Sequence, residues 1–168
     1  MPTGLRVAIA RHGKAEPDAP SGLDADRPLR HLGVRQVRWL GERLAGLEPA
    51  VARVISSRAE RADRTAAAIA AACGVEVEHD ERLWIDEPAG RLVDVIGSAG
   101  AGGVEGSLCL VGHNNQLSVA AGLLLGERLE RIRTGEAVVL DVDPRDPVGS
   151  GGLVCRLRLP REHADARG

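Results

Sequence analysis

What most constrains the fold of this chain is an alternation. Short apolar runs with a period of two are separated by longer stretches with a helical period, and the sequence closes on two short runs with no helix between them. Leu5, Val7 and Ile9 alternate with Arg6, Ala8 and Ala10, and the run reaches Gly13, which reads as a strand entering a turn. Val51–Ser56 reads as a second strand, Val75–Glu78 as a short half-exposed one, and Leu108–Val111 as a fourth. A first helix is predicted from about His31 or Gly33, with Val34, Val37, Leu40, Leu44 and Leu47 in register and Pro49 closing it. A second spans about Ala59 to Cys73, with Ala62, Ala66, Ile69, Ala70 and Cys73 on one stripe and Gly74 as the stop. A third covers Asp86–Ala99 with Leu92, Val93 and Ile96 apolar, and a fourth covers Gln116–Leu125. Val138–Val142 and Leu153–Leu159, joined by a Pro/Gly loop, form a predicted hairpin. This order predicts an α/β protein: a three-layer α/β/α sandwich around a mostly parallel mixed sheet. The length of 168 residues suits one domain, residues 1–160, with 161–168 as a charged tail.

Composition narrows the partners. The chain has no Phe or Tyr and only Trp39 and Trp84, so its core must be Leu, Val, Ile and Ala, and stacking on unpaired bases is hardly available. A net charge of −2 supplies no bulk basic field for a duplex, so no nucleic-acid partner is expected. Cys73, Cys109 and Cys155 are odd in number and show no Cys-x-x-Cys spacing, so neither a metal site nor a redox motif is expected. Met1 to Gly4 shows no apolar signal region, and the longest apolar run, Leu117–Leu125, is too short to span a bilayer. A cytoplasmic protein with reduced thiols and no membrane partner is the expectation. The glycine-rich stretch Gly97–Gly106 precedes a strand instead of opening a helix, so it reads as a flexible connection, not a phosphate cradle.

Chemistry concentrates at strand ends. The first strand runs into Arg11-His12-Gly13 and the strand at 108–111 into Gly112-His113-Asn114. Parallel strands would bring both histidines to one edge of the sheet, where open α/β folds bind ligands. His31, His79 and His163 fall in loops or at element ends and read as surface residues. Between the two histidines, Ser57 to Thr65 follows the second strand and opens a helix, an anion-favouring position that its arginines reinforce. Glu60 can pair with Arg64 at i, i+4, so Arg58 and Arg64 read as a solvated face and Arg61 as the ligand candidate.

These residues resemble a known family. Arg11-His12-Gly13 matches the hallmark of the histidine phosphatase superfamily, also called phosphoglycerate mutase-like. Ser57-x-x-x-Arg61-Ala62-x-x-Thr65 resembles its second motif, with Arg58 in place of the usual Pro, and Gly112-His113 its third. Arg27-Pro28-Leu29-x-x-x-Gly33 is similar to the segment opening the family's first helix, with Arg30 for the usual Thr. The short length points to the SixA-type phosphohistidine phosphatase branch. The resemblance implies a phosphatase with His12 as nucleophile and Arg11, Arg61 and His113 as its catalytic companions. Arg11, Arg61, His113 if protonated, and Asn114 would bind the phosphoryl oxygens, and cationic neighbours would keep His12 neutral. No metal or cofactor is implied.

The family's acidic Glu would fall at Ile85; Asp86 and Glu87 lie beside it. A site without a dedicated acid suits a phosphoramidate better than a sugar phosphate, because imidazole leaves readily once protonated. The substrate expected is therefore phosphate-bearing, with a phosphohistidine protein as the leading candidate. The alternatives are a small-molecule phosphomonoesterase with Asp86 or Glu87 as acid, and a non-catalytic phosphate-binding module, against which the retained Arg11, His12, Arg61 and His113 argue. Lys14–Arg30 and Trp84–Arg91 are the expected rims. Lys14, Arg27, Arg30 and Arg35 would either meet an acidic protein or merely solubilise the surface.

Overall fold

The computed structural model describes residues 4–161, so His163 and the tail from 162 onward lie outside it. Six strands form one sheet: β1 (Leu5–Arg11), β2 (Val51–Ser56), β3 (Val77–His79), β4 (Ser107–Gly112), β5 (Ala137–Val142) and β6 (Gly152–Leu157). Four helices connect them: α1 (His31–Ala45), α2 (Glu60–Cys73), α3 (Ala89–Ala101) and α4 (Gln116–Leu125). The strand order is β3-β2-β4-β1-β5-β6. β1, β4, β2 and β3 run parallel, and β5 turns the sheet antiparallel. The predicted hairpin is β5 against β6. This is the mixed α/β sandwich expected of the sequence.

β1 is central and buried on both faces. Val7 and Ile9 join a core with Leu92 and Ile96 of α3 and Leu117 and Leu124 of α4. Ala8 and Ala10 face the other way, under Leu40 and Leu44 of α1 and Ala66 and Ile69 of α2. Its strict alternation thus reflects two cores and not one wet face, as suits a strand covered by helices on both sides.

Three readings change. Val34 is 47% exposed, because the buried face of α1 is Gly33, Val37, Leu40, Gly41 and Leu44. α3 begins at Ala89 and runs to Ala101, so Gly97 and Gly100 are helical and not part of a flexible connection. A Cβ on Gly100 would stand 2.2 Å from that of Pro144, which explains why a helix-weakening residue sits there. Val93 is only partly buried, and Val95 and Ala99 complete that face.

Candidate active site

Arg11 at the end of β1 pairs across the ladder with Gly112 at the end of β4. The next residues, His12 and His113, therefore leave adjacent parallel strands side by side. Their ring centroids are 5.3 Å apart with planes tilted 52°. Both rings are buried, His12 at 7% exposure and His113 at 3%.

The contacts of His12 fix its tautomer. Nδ1 lies 2.8 Å from the Gly13 carbonyl, which can only accept, so Nδ1 holds the proton and Nε2 keeps its lone pair. Arg61 Nε donates to that same Nε2 at 3.3 Å. Burial pushes the His12 pKa down to about 4, helped by the guanidiniums of Arg61, Arg11 and Arg27 and opposed by the Gly13 carbonyl. Charge alone was expected to keep this ring neutral; desolvation is the larger cause. For His113 the condition of protonation is not met. Burial, then His12 and Arg61, push its pKa down to about 3, so it stands neutral and not as a cationic donor. Its Nε2 lies 2.9 Å from the Ser57 hydroxyl, while its buried Nδ1 has no partner among the described residues.

Arg61 reaches the site from the first turn of α2 and is 4% exposed. Its Nη1 donates to the Asp24 carbonyl at 2.7 Å and its Nη2 to the Asp24 carboxylate at 3.0 Å. Thr65, one turn on, donates to the Arg61 carbonyl and accepts from the Gly13 backbone N–H at 3.0 Å, tying α2 to the end of β1. Arg11 Nη1 donates to the Ile132 carbonyl at 3.3 Å, and its buried Nε has no partner among the described residues. Burial lowers the Arg11 pKa, as do Arg131 and Arg61. Asp24 is held ionised, its pKa lowered first by Arg27 and then by Arg61.

A cavity of about 460 Å³ opens over Arg11, His12, Arg61 and His113, with Lys14, Asp24 and Arg27 on one side and Ile85 and Asp86 on the other. Of the two alternative acids, Asp86 lines this cavity, at a φ of 64°, whereas Glu87 pairs with Arg91 at 3.3 Å outside it. Asn114 lines the cavity, but its side chain is engaged: Nδ2 donates to the Ile132 carbonyl at 2.8 Å and Oδ1 accepts from Ser118. Arg64 pairs with Glu60 as the spacing predicts, and Arg58 is exposed. Arg27 and Arg30 of the rim face Asp24 and Glu16, so their charge is partly spent within the loop.

Asp24, Ser57, Thr65 and Ile132 carry contacts to which sequence reading assigned no role. Ser57 and Thr65 were signalled by their places in the second motif. Asp24 and Ile132 sit in segments without periodicity, and only the folded chain brings them in. Among the described residues, no group of three or more His, Cys, Asp or Glu is placed to hold a metal ion, and no helix is long and apolar enough to cross a membrane.

Such a site defines a class: an α/β protein with a neutral imidazole, its Nε2 accepting from Arg61, beside a second histidine and Arg11 at the carboxyl end of its sheet. Residues 7–84 match the pattern of the histidine phosphatase superfamily (branch 1). The chain is 37% identical over 81 residues to the Salmonella choleraesuis protein named "Probable phosphoglycerate mutase GpmB", a match covering 47% of this chain but only 37% of that relative's length. Solved structures extend the likeness across the fold. The protein histidine phosphatase SixA complexed with tungstate superposes with a TM-score of 0.81 at 23% identity, over 92% of this chain and 97% of that one. The "putative phosphohistidine phosphatase SixA from Agrobacterium tumefaciens" gives 0.73 at 25% identity, over 91% and 97%. A mycobacterial glucosyl-3-phosphoglycerate phosphatase gives 0.71 at 18%, over 90% and 97%.

Proposed function

We propose that this protein is a phosphatase that works through a covalent phosphohistidine on His12, and that its substrate is a phosphohistidine borne on a protein. One observation carries the reading: a buried imidazole with its proton on Nδ1 and its lone pair on Nε2, at the floor of a cavity ringed by two guanidiniums. Nε2 attacks phosphorus in line. The new N–P bond forms as the bond to the leaving nitrogen breaks, and the departing imidazole leaves carrying a proton. Water then attacks phosphorus, Nε2 departs with its electron pair, and the proton of water ends on phosphate. Splitting one step into two in this way is covalent catalysis. Phosphoryl transfer asks little more than positioning and charge stabilisation. Arg61 and Arg11 supply that charge, and the unpartnered Arg11 Nε and His113 Nδ1 supply buried donors for equatorial oxygens.

Two features support a phosphoramidate. Ile85 stands where the family places its acid, and Asp24, the nearest carboxylate to Arg61, is kept ionised and so holds no proton to give. The likeness of the whole fold to SixA agrees. Rapid-quench labelling with a phosphohistidine peptide tests the reading: wild type should trap phosphate on a histidine and His12→Ala should trap none. Equal labelling of the two proteins would overturn it. Phosphohistidine peptides should also turn over far faster than glycerol phosphate.

A second reading has its own support. Asp86 reaches the cavity on a left-handed backbone, a conformation that is uncommon outside glycine and concentrates at functional sites. With Asp86 as proton donor the protein would be a small-molecule phosphomonoesterase. Asp86→Ala would then cut monoester turnover by about 10²-fold or more while sparing phosphohistidine. No loss on monoesters would leave only the first reading.

A further inference from the structure

Ser57 lies immediately beyond β2 and is fully buried. Its backbone N–H donates to the Val111 carbonyl at 3.1 Å, which pins it beside the end of β4. Its hydroxyl accepts from the Ala59 N–H at 3.2 Å and lies 2.9 Å from His113 Nε2. The hydroxyl has one proton to place, and among the described residues Nε2 is its acceptor. If Nε2 carried the ring proton instead, two buried groups would be stranded: the serine O–H and the Nδ1 lone pair. Leaving a buried polar group unsatisfied is costly, because its lost hydrogen bond to water is not replaced. With the proton on Nδ1, the one remaining orphan is an N–H donor beside the anion pocket.

We propose that Ser57 is a positioning residue that sets the tautomer of His113, donating to Nε2 so that Nδ1 carries the ring proton and offers it to a phosphoryl oxygen. A neutral histidine has a single N–H. In the wrong tautomer it presents a lone pair to the oxygens of the anion and repels them. Ser57 thereby makes an uncharged ring an obligate donor, with no need for protonation. The use of that donor rests on the phosphatase reading above; the tautomer itself does not.

The test uses the full-length protein with 15N-labelled histidine, and inorganic phosphate as the probe. Ring nitrogen spectra of the wild type should show His113 as the Nδ1–H form alone, and Ser57→Ala should convert it to a mixture. Ser57→Ala should weaken phosphate binding by about tenfold. In His113→Asn, the amide N–H₂ is a donor whatever Ser57 does, so adding Ser57→Ala there should change binding by less than about twofold. An Nε2–H form in the wild type, an unchanged tautomer in Ser57→Ala, or equal losses in both backgrounds would overturn the proposal. Should Ser57→Ala fail to fold by thermal melt, Ser57→Cys, a weaker donor, should shift tautomer and binding in the same direction by less. A wild type that binds no phosphate would sink the phosphatase reading, and the spectra would still decide the role of Ser57.

Discussion

A histidine buried between two strand ends takes up a proton only in solvent far more acidic than a free imidazole requires. His12 and His113 are both in that position, pushed to about 4 and about 3. On the proposed mechanism, the nucleophile stays ready across the neutral range. kcat/KM should be flat there and fall on an acid limb near pH 4, and a limb centred near 6.5 would show His12 to be more solvated than its burial implies. The stability consequence follows from linkage. The unfolded chain protonates His12 near the ordinary 6.5, so between there and about 4 it binds more protons than the folded chain. Stability is full above about 6.5 and drains as pH falls, by on the order of 3 kcal/mol from His12 alone. Urea unfolding at pH 7.5 and pH 4.5 measures this, and His12→Gln should flatten the slope. Much of this site is legible in the sequence, because Arg11-His12, Arg61 and His113 stand at marked strand ends and helix starts. Asp24 is not, since nothing local says that a loop residue will grip a guanidinium 37 positions away.

Among the elements, the junction of β1 with α1 is the tightest. A Cβ on Gly33 would stand 2.1 Å from the Lys14 carbonyl, and one on Gly13 would stand 2.8 Å from the Gly33 carbonyl. Two backbones touch there, which is what holds His12 and the rim loop to the first turn of α1. Gly33→Ala should cost about 1–3 kcal/mol and lower turnover as well, because backbone must move. Gly90, in the first turn of α3, has open space where a Cβ would go, and Gly90→Ala should stabilise by about 0.5–1 kcal/mol with turnover unchanged. Chemical denaturation and steady-state rates on the two variants check both. The same packing explains where periodicity succeeds and fails. β2 and α4 have the bounds read from sequence, since their apolar residues stand between clear breakers. In α1 a search for apolar residues picks Val34 and passes over Gly33 and Gly41, yet a Cβ on Gly41 would come within 3.0 Å of the Ala68 carbonyl. Small residues that let helices approach carry no hydropathy signal.

For the molecule as a whole, the two cores meet only through the sheet, and Cys109 lies near the middle of it on β4, fully buried. Burial pushes its thiol pKa up, so the reactive thiolate is suppressed. Cys73 and Cys155 are partly exposed. An aromatic disulfide reagent should modify those two in the native protein and reach Cys109 only through global opening, at a rate that follows stability across the variants above; mass spectrometry assigns the sites. Rapid native labelling of Cys109 would mean that the sheet opens locally. The adjacency of β1 and β4 bears on more than assembly. Hydrogen-bonded strands stand about 4.8 Å apart wherever they occur, and the two imidazoles inherit their separation from that spacing. The gauge of the cradle is thus a constant of backbone geometry that no side-chain exchange can widen. On the proposed function, choice among substrates falls to the rim of the cavity, where no ladder dictates the distance.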